Sequence, residues 1–374
     1  MLEIRETRPN DRRRIEEFID LPFRLYKNHA QWVPPFRGEM RKLLTRNHPY
    51  FEHSEAAFLL ARRNGRPVGR ITVYENRKFN RFRDRRQARL YHFECVEDEE
   101  AAAALFDAAA QWARGRGLDQ LAGPHGLSGM DGGGILIDGF EHRATMTMMH
   151  YNLPYYRRMF EAAGFRKVRD YYTAVIDRSA FRLPERIRRV SEIHYRRGHF
   201  RVPVFRSKRA LRAVARQIGE VYNRSFTVHE DFCPLQEQEI DRLTKNLMLV
   251  SKPPLIKVLF YDDRVVGFLF SFPDLSASLQ RARGRLGPVR LIDLLGEARR
   301  TDTLIVNGAG ILPEYQKLGA NGLMYYELYR TVQESPYRWA EMVQIADTTT
   351  LMLADMQTLG GKVRKTHRVY TLAL

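Results

Sequence analysis

The segment from Ile305 to Met324 constrains this chain more than any other. Ile305-Val306-Asn307-Gly308-Ala309-Gly310-Ile311-Leu312 is mostly apolar and reads as a buried β-strand. Pro313-Glu314-Tyr315-Gln316-Lys317-Leu318-Gly319 is a short polar turn, and Ala320-Asn321-Gly322-Leu323-Met324 opens an amphipathic helix. A glycine-containing turn at a helix N-terminus gathers backbone N–H groups, and the helix dipole adds positive potential. The junction is therefore a ready cradle for an anion such as phosphate. It lacks the Lys-Ser/Thr end of a P-loop, which argues against a Mg²⁺-bound nucleoside triphosphate. Its late position argues against a dinucleotide site opening a βαβ unit. A strand–turn–helix with no ligand is the alternative.

The chain has 374 residues, 44% of them hydrophobic, enough for two domains with sizeable cores. No apolar run approaches the ~18 residues that span a bilayer, and Met1-Leu2-Glu3-Ile4-Arg5-Glu6 is not a signal peptide. Two cysteines, Cys95 and Cys233, make neither a disulfide framework nor a metal-binding pair. These features predict a cytoplasmic protein without a metal. The net charge of +18 favours polyanionic partners such as nucleic acid, CoA-type cofactors or anionic lipid, unless it reflects compositional bias alone.

The chain also reads as an internal duplication. Gly65-Arg66-Pro67-Val68-Gly69-Arg70-Ile71-Thr72-Val73 is a turn and a strand, echoed by Asp263-Arg264-Val265-Val266-Gly267-Phe268-Leu269-Phe270-Ser271. Ala163-Gly164-Phe165 leads into the strand Tyr172–Ile176, and Gly360-Gly361 leads into Val369–Leu372. Gly69 and Gly164 are 95 positions apart, Gly267 and Gly361 are 94 apart.

Gln316, Gly319 and Ala320-Asn321-Gly322, preceded by Pro313-x-Tyr315, resemble the pyrophosphate loop of the GNAT acyltransferases, whose pattern is Gln/Arg-x-x-Gly-x-Gly/Ala. Asn321 stands at the last small-residue position, and Asn tolerates left-handed geometry. Asn152-Leu153-Pro154-Tyr155-Tyr156 through Gly164-Phe165 resembles the family's short helix beside the pantetheine arm. Thr349 to Gly361 is a weaker version. The opening Ile4–Phe18 is similar to the family's first strand and helix, with Asp11 placed to cap that helix. The resemblance implies an α/β fold with a mixed sheet, built from two GNAT-like domains in tandem. Each would be a mostly antiparallel sheet flanked by helices, over residues 1–180 and 202–374, with a basic hinge helix in 181–201.

In the first half the corresponding junction is His92-Phe93-Glu94-Cys95-Val96-Glu97-Asp98-Glu99-Glu100. Four consecutive acids cap a helix well but repel a pyrophosphate. Only the second half is then expected to bind acyl-CoA, the first serving as a degenerate partner that shapes the acceptor site. The resemblance implies cofactor contacts at Ala309, Gly310 and Ile311, whose strand N–H groups would meet the thioester carbonyl. It implies phosphate contacts at Gln316, Lys317, Leu318, Gly319, Ala320, Asn321 and Gly322.

Acyl transfer to an amine needs a neutral amine and a protonated leaving thiolate. The candidates are Glu94, a carboxylate in an apolar strand; His150 and Tyr151, before the Asn152 helix; and Asp347, at the end of a second-half strand. The structural alternatives are that Glu94 faces solvent or an arginine, that His150 is a structural histidine, and that Asp347 caps a helix. Cys95 as a nucleophile lacks a partner on its own face. The Gly123–Gly134 stretch reads as a flap over the acceptor site.

The insertion Leu279–Leu295 mixes arginines with large aliphatics and could rest on an anionic bilayer or fold back over the core. Phe93-Glu94, Gly123-Pro124, Asp138-Gly139-Phe140 and Tyr222-Asn223 resemble landmarks of a bacterial ceramide synthase-like group of tandem GNAT proteins. That resemblance implies a long-chain acyl-CoA, a lipid amine acceptor and contact with the inner membrane face. Short-chain acetylation of a small molecule or amino acid, tRNA-dependent aminoacyl transfer and a non-catalytic binding role are the competing classes. The case for nucleic acid rests on charge alone, with no motif of interleaved aromatics.

Overall fold

The computed structural model describes residues 1–52, 54–127 and 131–374. The flap segment Ser128-Gly129-Met130 lies outside the described residues. Seven strands come from the first half: β1 (Leu2–Glu6), β2 (Ser54–Arg63), β3 (Arg66–Asn76), β4 (Gln87–Cys95), β5 (Gln120–Gly123), β6 (Ile135–Asp138) and β7 (Arg166–Asp177). The second half gives β8 (Phe200–Arg201), β9 (Lys257–Tyr261), β10 (Arg264–Pro273), β11 (Thr303–Ile311), β12 (Trp339–Ala346) and β13 (Lys362–Ala373). Among the described residues all thirteen join one sheet in the order β1-β2-β3-β4-β5-β13-β7-β12-β11-β10-β9-β8, with β6 beside β13. Pairing is antiparallel except at β4–β5 and β11–β12.

The duplication is written into the backbone. A tight turn with a left-handed residue joins each hairpin, Asn64-Gly65 between β2 and β3 and Asp262 between β9 and β10. Gly69 faces Cys95 and Arg70 faces Glu94, as Gly267 faces Ile311 and Phe268 faces Gly310. Both pairs of strands then slip at a bulge. At the bulge β4 has His92 at φ +50° and β11 has Gly308 at φ +86°.

The halves exchange their last strands. β7 leaves the first half to pair with β12, and β13 returns from the second half to pair with β5. The two exchanged strands pair with each other along nearly their whole length. Lys365, His367, Val369 and Tyr370 of β13 are buried as a result.

Helices cover both faces. Asp11 caps Arg12–Leu25 by accepting from the Arg14 N–H at 3.0 Å, as its position predicted. Asp98 caps Glu99–Arg114 in the same way through Ala101 N–H, and that helix buries Ala102, Leu105, Phe106 and Ala109 on one stripe. The basic run after Pro184 is the helix Glu185–Arg197. It buries Ile187, Ser191 and His194 against the helix Ala320–Gln333, so it is more than a linker.

The insertion forms two helices, Ser276–Ala282 and Pro288–Arg300, clamped by Arg281 of the first on Asp293 of the second at 2.9 Å. It rests on the first half, where Gln280 Nε2 donates to the carbonyls of Ala30 and Trp32 at 2.7 and 2.9 Å. Leu279 packs inward, but Leu286, Val289, Leu291, Ile292 and Leu295 do not cover the core. Val289 is 74% exposed and Ile292 is 70% exposed.

Candidate active site

β11 and β12 pair only from Thr303 to Val306 and from Trp339 to Met342. Beyond that point Gly308 at φ +86° and Gln344 at φ +58° turn the strands apart. Along Asn307–Ile311 the backbone groups of β11 on the side away from β10 have lost their sheet partner. They are available to a ligand placed in the gap.

At the far end of β11 the turn is shaped for an anion. Gln316 Nε2 donates to the Ile311 carbonyl at 2.9 Å and ties the turn to the strand. Lys317 and Gly319 both have positive φ, +61° and +79°, and Gly319 sits at the helix N-cap with no side-chain cap. Among the described residues the N–H groups of Lys317, Leu318, Gly319, Ala320 and Asn321 have no hydrogen-bond acceptor. Five orphan donors at one helix start are what a phosphate completes. His194 Nε2 donates to the Leu318 carbonyl at 3.0 Å and braces the turn from behind. A Cβ at Gly319 would stand 2.6 Å from Val190 Cγ1, so no side chain fits there.

The equivalent place in the first half is already occupied. Arg158 pairs with Glu97 and Glu99 at 2.9 and 2.8 Å, and Arg63 pairs with Asp98 and Glu100 at 2.7 Å each. Asp98 takes a helix N–H itself. A phosphate would have to displace these carboxylates.

A cavity of about 640 Å³ opens at the split between β11 and β12. Val306–Ala309, Met342–Ala346, Tyr222, Phe226, Phe268 and Met352 line it from the second half. Arg89, His125 and Gly133 line it from the first.

No family model matches the chain. Over 370 residues it is 25% identical to a protein of Caulobacter vibrioides named bacterial ceramide synthase, covering 96% of this chain and 95% of that one. Over 373 residues it is 24% identical to Protein YghO of Escherichia coli, covering 95% and 92%. A tandem GNAT protein from the clavulanic acid biosynthesis pathway has a similar structure, with a TM-score of 0.56 at 13% identity. That match covers 100% of this chain and 98% of the other. This is a tandem GNAT-fold protein. A GCN5-related N-acetyltransferase from Sphaerobacter thermophilus shares the fold at a TM-score of 0.51 and 14% identity, over 100% of this chain and 95% of its own.

Within this GNAT fold the cofactor residues expected from the sequence, Ala309–Ile311 and Gln316–Gly322, fall on the split strand and on the turn and helix start that follow it. Of the four expected acid–base residues, Glu94 and Tyr151 both contact Tyr26, and His150 adjoins Tyr151, but none of the four lines the cavity. Glu94 is inside the first half, accepting from Tyr156 OH at 2.9 Å and from Tyr26 OH, with Arg70 at 3.9 Å. Burial raises its pKa, and Arg70 and the tyrosines partly offset that. His150 shares a 2.8 Å hydrogen bond with Tyr91 OH, and burial lowers its pKa to about 4. Tyr151 packs on Tyr26 and His29. Asp347 pairs with Lys167 of β7 at 3.1 Å, and Thr349, two residues on, takes the helix N-cap. Burial lifts the Cys95 thiol to about 12, so no thiolate forms at neutral pH.

Sequence reasoning passed over the polar end of the cavity. Asp231 accepts from Tyr171 OH at 3.2 Å and pairs with Arg169 at 3.0 Å, with His125 Nε2 at 3.6 Å and Arg89 at 3.8 Å. Burial alone would raise the Asp231 pKa, but His125, Arg89 and Arg169 outweigh it and hold the carboxyl at about 2. Burial pushes His125 down to about 4 against the pull of Asp231.

Proposed function

We propose that this chain is an acyl-CoA-dependent N-acyltransferase that moves a long acyl chain onto a lipid amine of the sphingoid type at an anionic membrane surface, on the cytoplasmic side. The observation that carries the reading is one continuous path. Free N–H donors at Lys317–Asn321 lead along the unpaired edge of β11 into a cavity walled by Phe226, Phe268, Phe270, Met342 and Met352. At about 640 Å³ the cavity falls within the ~300–1,000 Å³ of small-molecule sites. Its aromatic and aliphatic wall suits an alkyl chain better than an acetyl group. The full-length relative named a ceramide synthase supports the same substrate class.

In this reading Lys317 and the cradle amides hold the pyrophosphate, and β11 N–H groups between Ala309 and Ile311 take the charge that grows on the carbonyl oxygen. Incubation with palmitoyl-CoA and sphinganine is expected to yield the N-palmitoyl amide and free CoA, detected by mass spectrometry. Acetylation of small amines with no long-chain product would favour the short-chain class.

No helix among the described residues is long and apolar enough to cross a membrane. The membrane contact is assigned to the face of the helix Pro288–Arg300 that carries Val289, Leu291, Ile292 and Leu295, beside Arg283, Arg285 and Arg290. Inserted aliphatics and interfacial arginines, worth about 1 kcal/mol each, add up on anionic lipid. Reversing Arg283, Arg285 and Arg290 to glutamate is expected to cut sedimentation with anionic liposomes at least ten-fold. Unchanged sedimentation removes the membrane assignment.

A further inference from the structure

Acyl transfer leaves the proton of the attacking amine in need of an acceptor, and Glu94, His150, Tyr151 and Asp347 are all absent from the cavity wall. His125 is on it. The residue follows β5, and its backbone is fixed on both sides. Its N–H donates to the Leu90 carbonyl at 2.8 Å, and its own carbonyl accepts from Tyr74 OH at 3.0 Å. The side chain is 9% exposed.

The two ring nitrogens meet different surroundings. Nε2 is 3.6 Å from Asp231 Oδ1, on the loop between the helices Ala215–Ser225 and Glu237–Val250 of the other half. Nδ1 is on the side of Gly133, where an added Cβ would stand 3.8 Å from it, so the missing side chain leaves that nitrogen open. Two residues before Gly133, the Asp131 carbonyl accepts from Gln344 Nε2 at 3.5 Å. Gln344 is the residue at which β12 turns away from β11. The imidazole therefore lines, from the first-half side, the same cavity that opens at the split.

We propose that His125 accepts the proton of the amine during acyl transfer and that Asp231, contributed by the opposite half, orients its ring. The assignment rests on the acyl-transfer reading. The amine nitrogen bonds to the thioester carbon and the C–S bond breaks, sulfur leaving with its electron pair. The proton lost from nitrogen passes to His125 Nδ1 and on to the departing thiolate, so that an amide and a free thiol are the products. Arg89 and Arg169 oppose a charge on the ring and Asp231 favours it, and at neutral pH the ring is neutral with a lone pair to offer. Asp231 stabilises the imidazolium in passing, as a carboxylate does in a nucleophile–histidine–carboxylate triad.

The test measures palmitoyl-CoA affinity, melting temperature and turnover with sphinganine on the full chain and on His125→Gln, His125→Ala and Asp231→Asn. His125→Gln is expected to lower kcat about 100-fold or more while leaving palmitoyl-CoA affinity and melting temperature as they are. Added imidazole is expected to restore part of the turnover of His125→Ala. Asp231→Asn should lower kcat with little change in the KM for the amine. Full turnover in His125→Gln overturns the assignment. So does a loss of turnover that follows a fall in melting temperature or acyl-CoA affinity and resists imidazole. Failure of the unaltered protein to bind palmitoyl-CoA overturns the acyl-transfer reading itself, and this assignment with it.

Discussion

Gly319→Ala is expected to remove measurable acyl-CoA binding and to lower the melting temperature together. A positive φ of +79° costs a residue with a Cβ ~1–2 kcal/mol, and that Cβ would stand 2.6 Å from Val190 Cγ1. Relief requires the helix Glu185–Arg197 to back away, which also moves the His194 bond to the Leu318 carbonyl. A glutamate at this position adds charge to the same clash, so it cannot act on binding alone. Lys317→Glu is the cleaner companion. Lys317 is exposed and already left-handed, so the reversal should spare the melting temperature and still weaken acyl-CoA binding by ten-fold or more. Calorimetric titration and thermal unfolding of the two variants separate the effects. Unchanged affinity in Lys317→Glu would show that the phosphate lies elsewhere.

Cutting the chain between Ala180 and Phe181 should leave neither fragment folded by itself. Residues 1–180 would keep β7 but lose β12 and β13, its partners on both sides, and β5 would lose β13 as well. Residues 181–374 would lose the strand that joins β12 to β13. Unpaired central strands expose backbone and apolar surface, and such fragments aggregate. Produced together, the two fragments are expected to form a soluble one-to-one complex. A monomeric 1–180 fragment with cooperative unfolding would mean that each half can close its own sheet.

What could be read from the sequence was local. The turns at Gly65 and Asp262–Asp263, the glycines 69 and 267, the acidic helix start at Glu97–Glu100 and the cradle at Gln316–Gly322 all declare themselves over short windows, and each occurs in the structure. The strand exchange was not legible. β7 and β13 descend from the same pattern, and alternation identifies a strand without naming its neighbour. Asp347 shows the consequence: its position suggests a helix cap, but exchange brings Lys167 of β7 beside it.

The His125–Asp231 pair was hidden for a similar reason. His125 lies in a glycine-rich stretch that reads as a flap. Asp231 lies in the loop His229-Glu230-Asp231 between two helices, 106 positions away. Nothing periodic links them, and they meet only because the cavity is walled by both halves. The insertion Leu279–Leu295 left two readings open: Leu279 and Leu294 pack against the core, whereas Val289 and Ile292 are exposed.

The most direct measurement is calorimetric titration of the unaltered protein with palmitoyl-CoA, acetyl-CoA and free CoA. One site per chain is expected, since the first-half junction is filled by its own carboxylates. Palmitoyl-CoA is expected to bind far more tightly than the other two, because in the proposed function its chain would occupy the cavity lined by Phe226 and Phe268. Equal affinity for all three would contradict the long-chain assignment, and no binding by any of them would contradict the cradle.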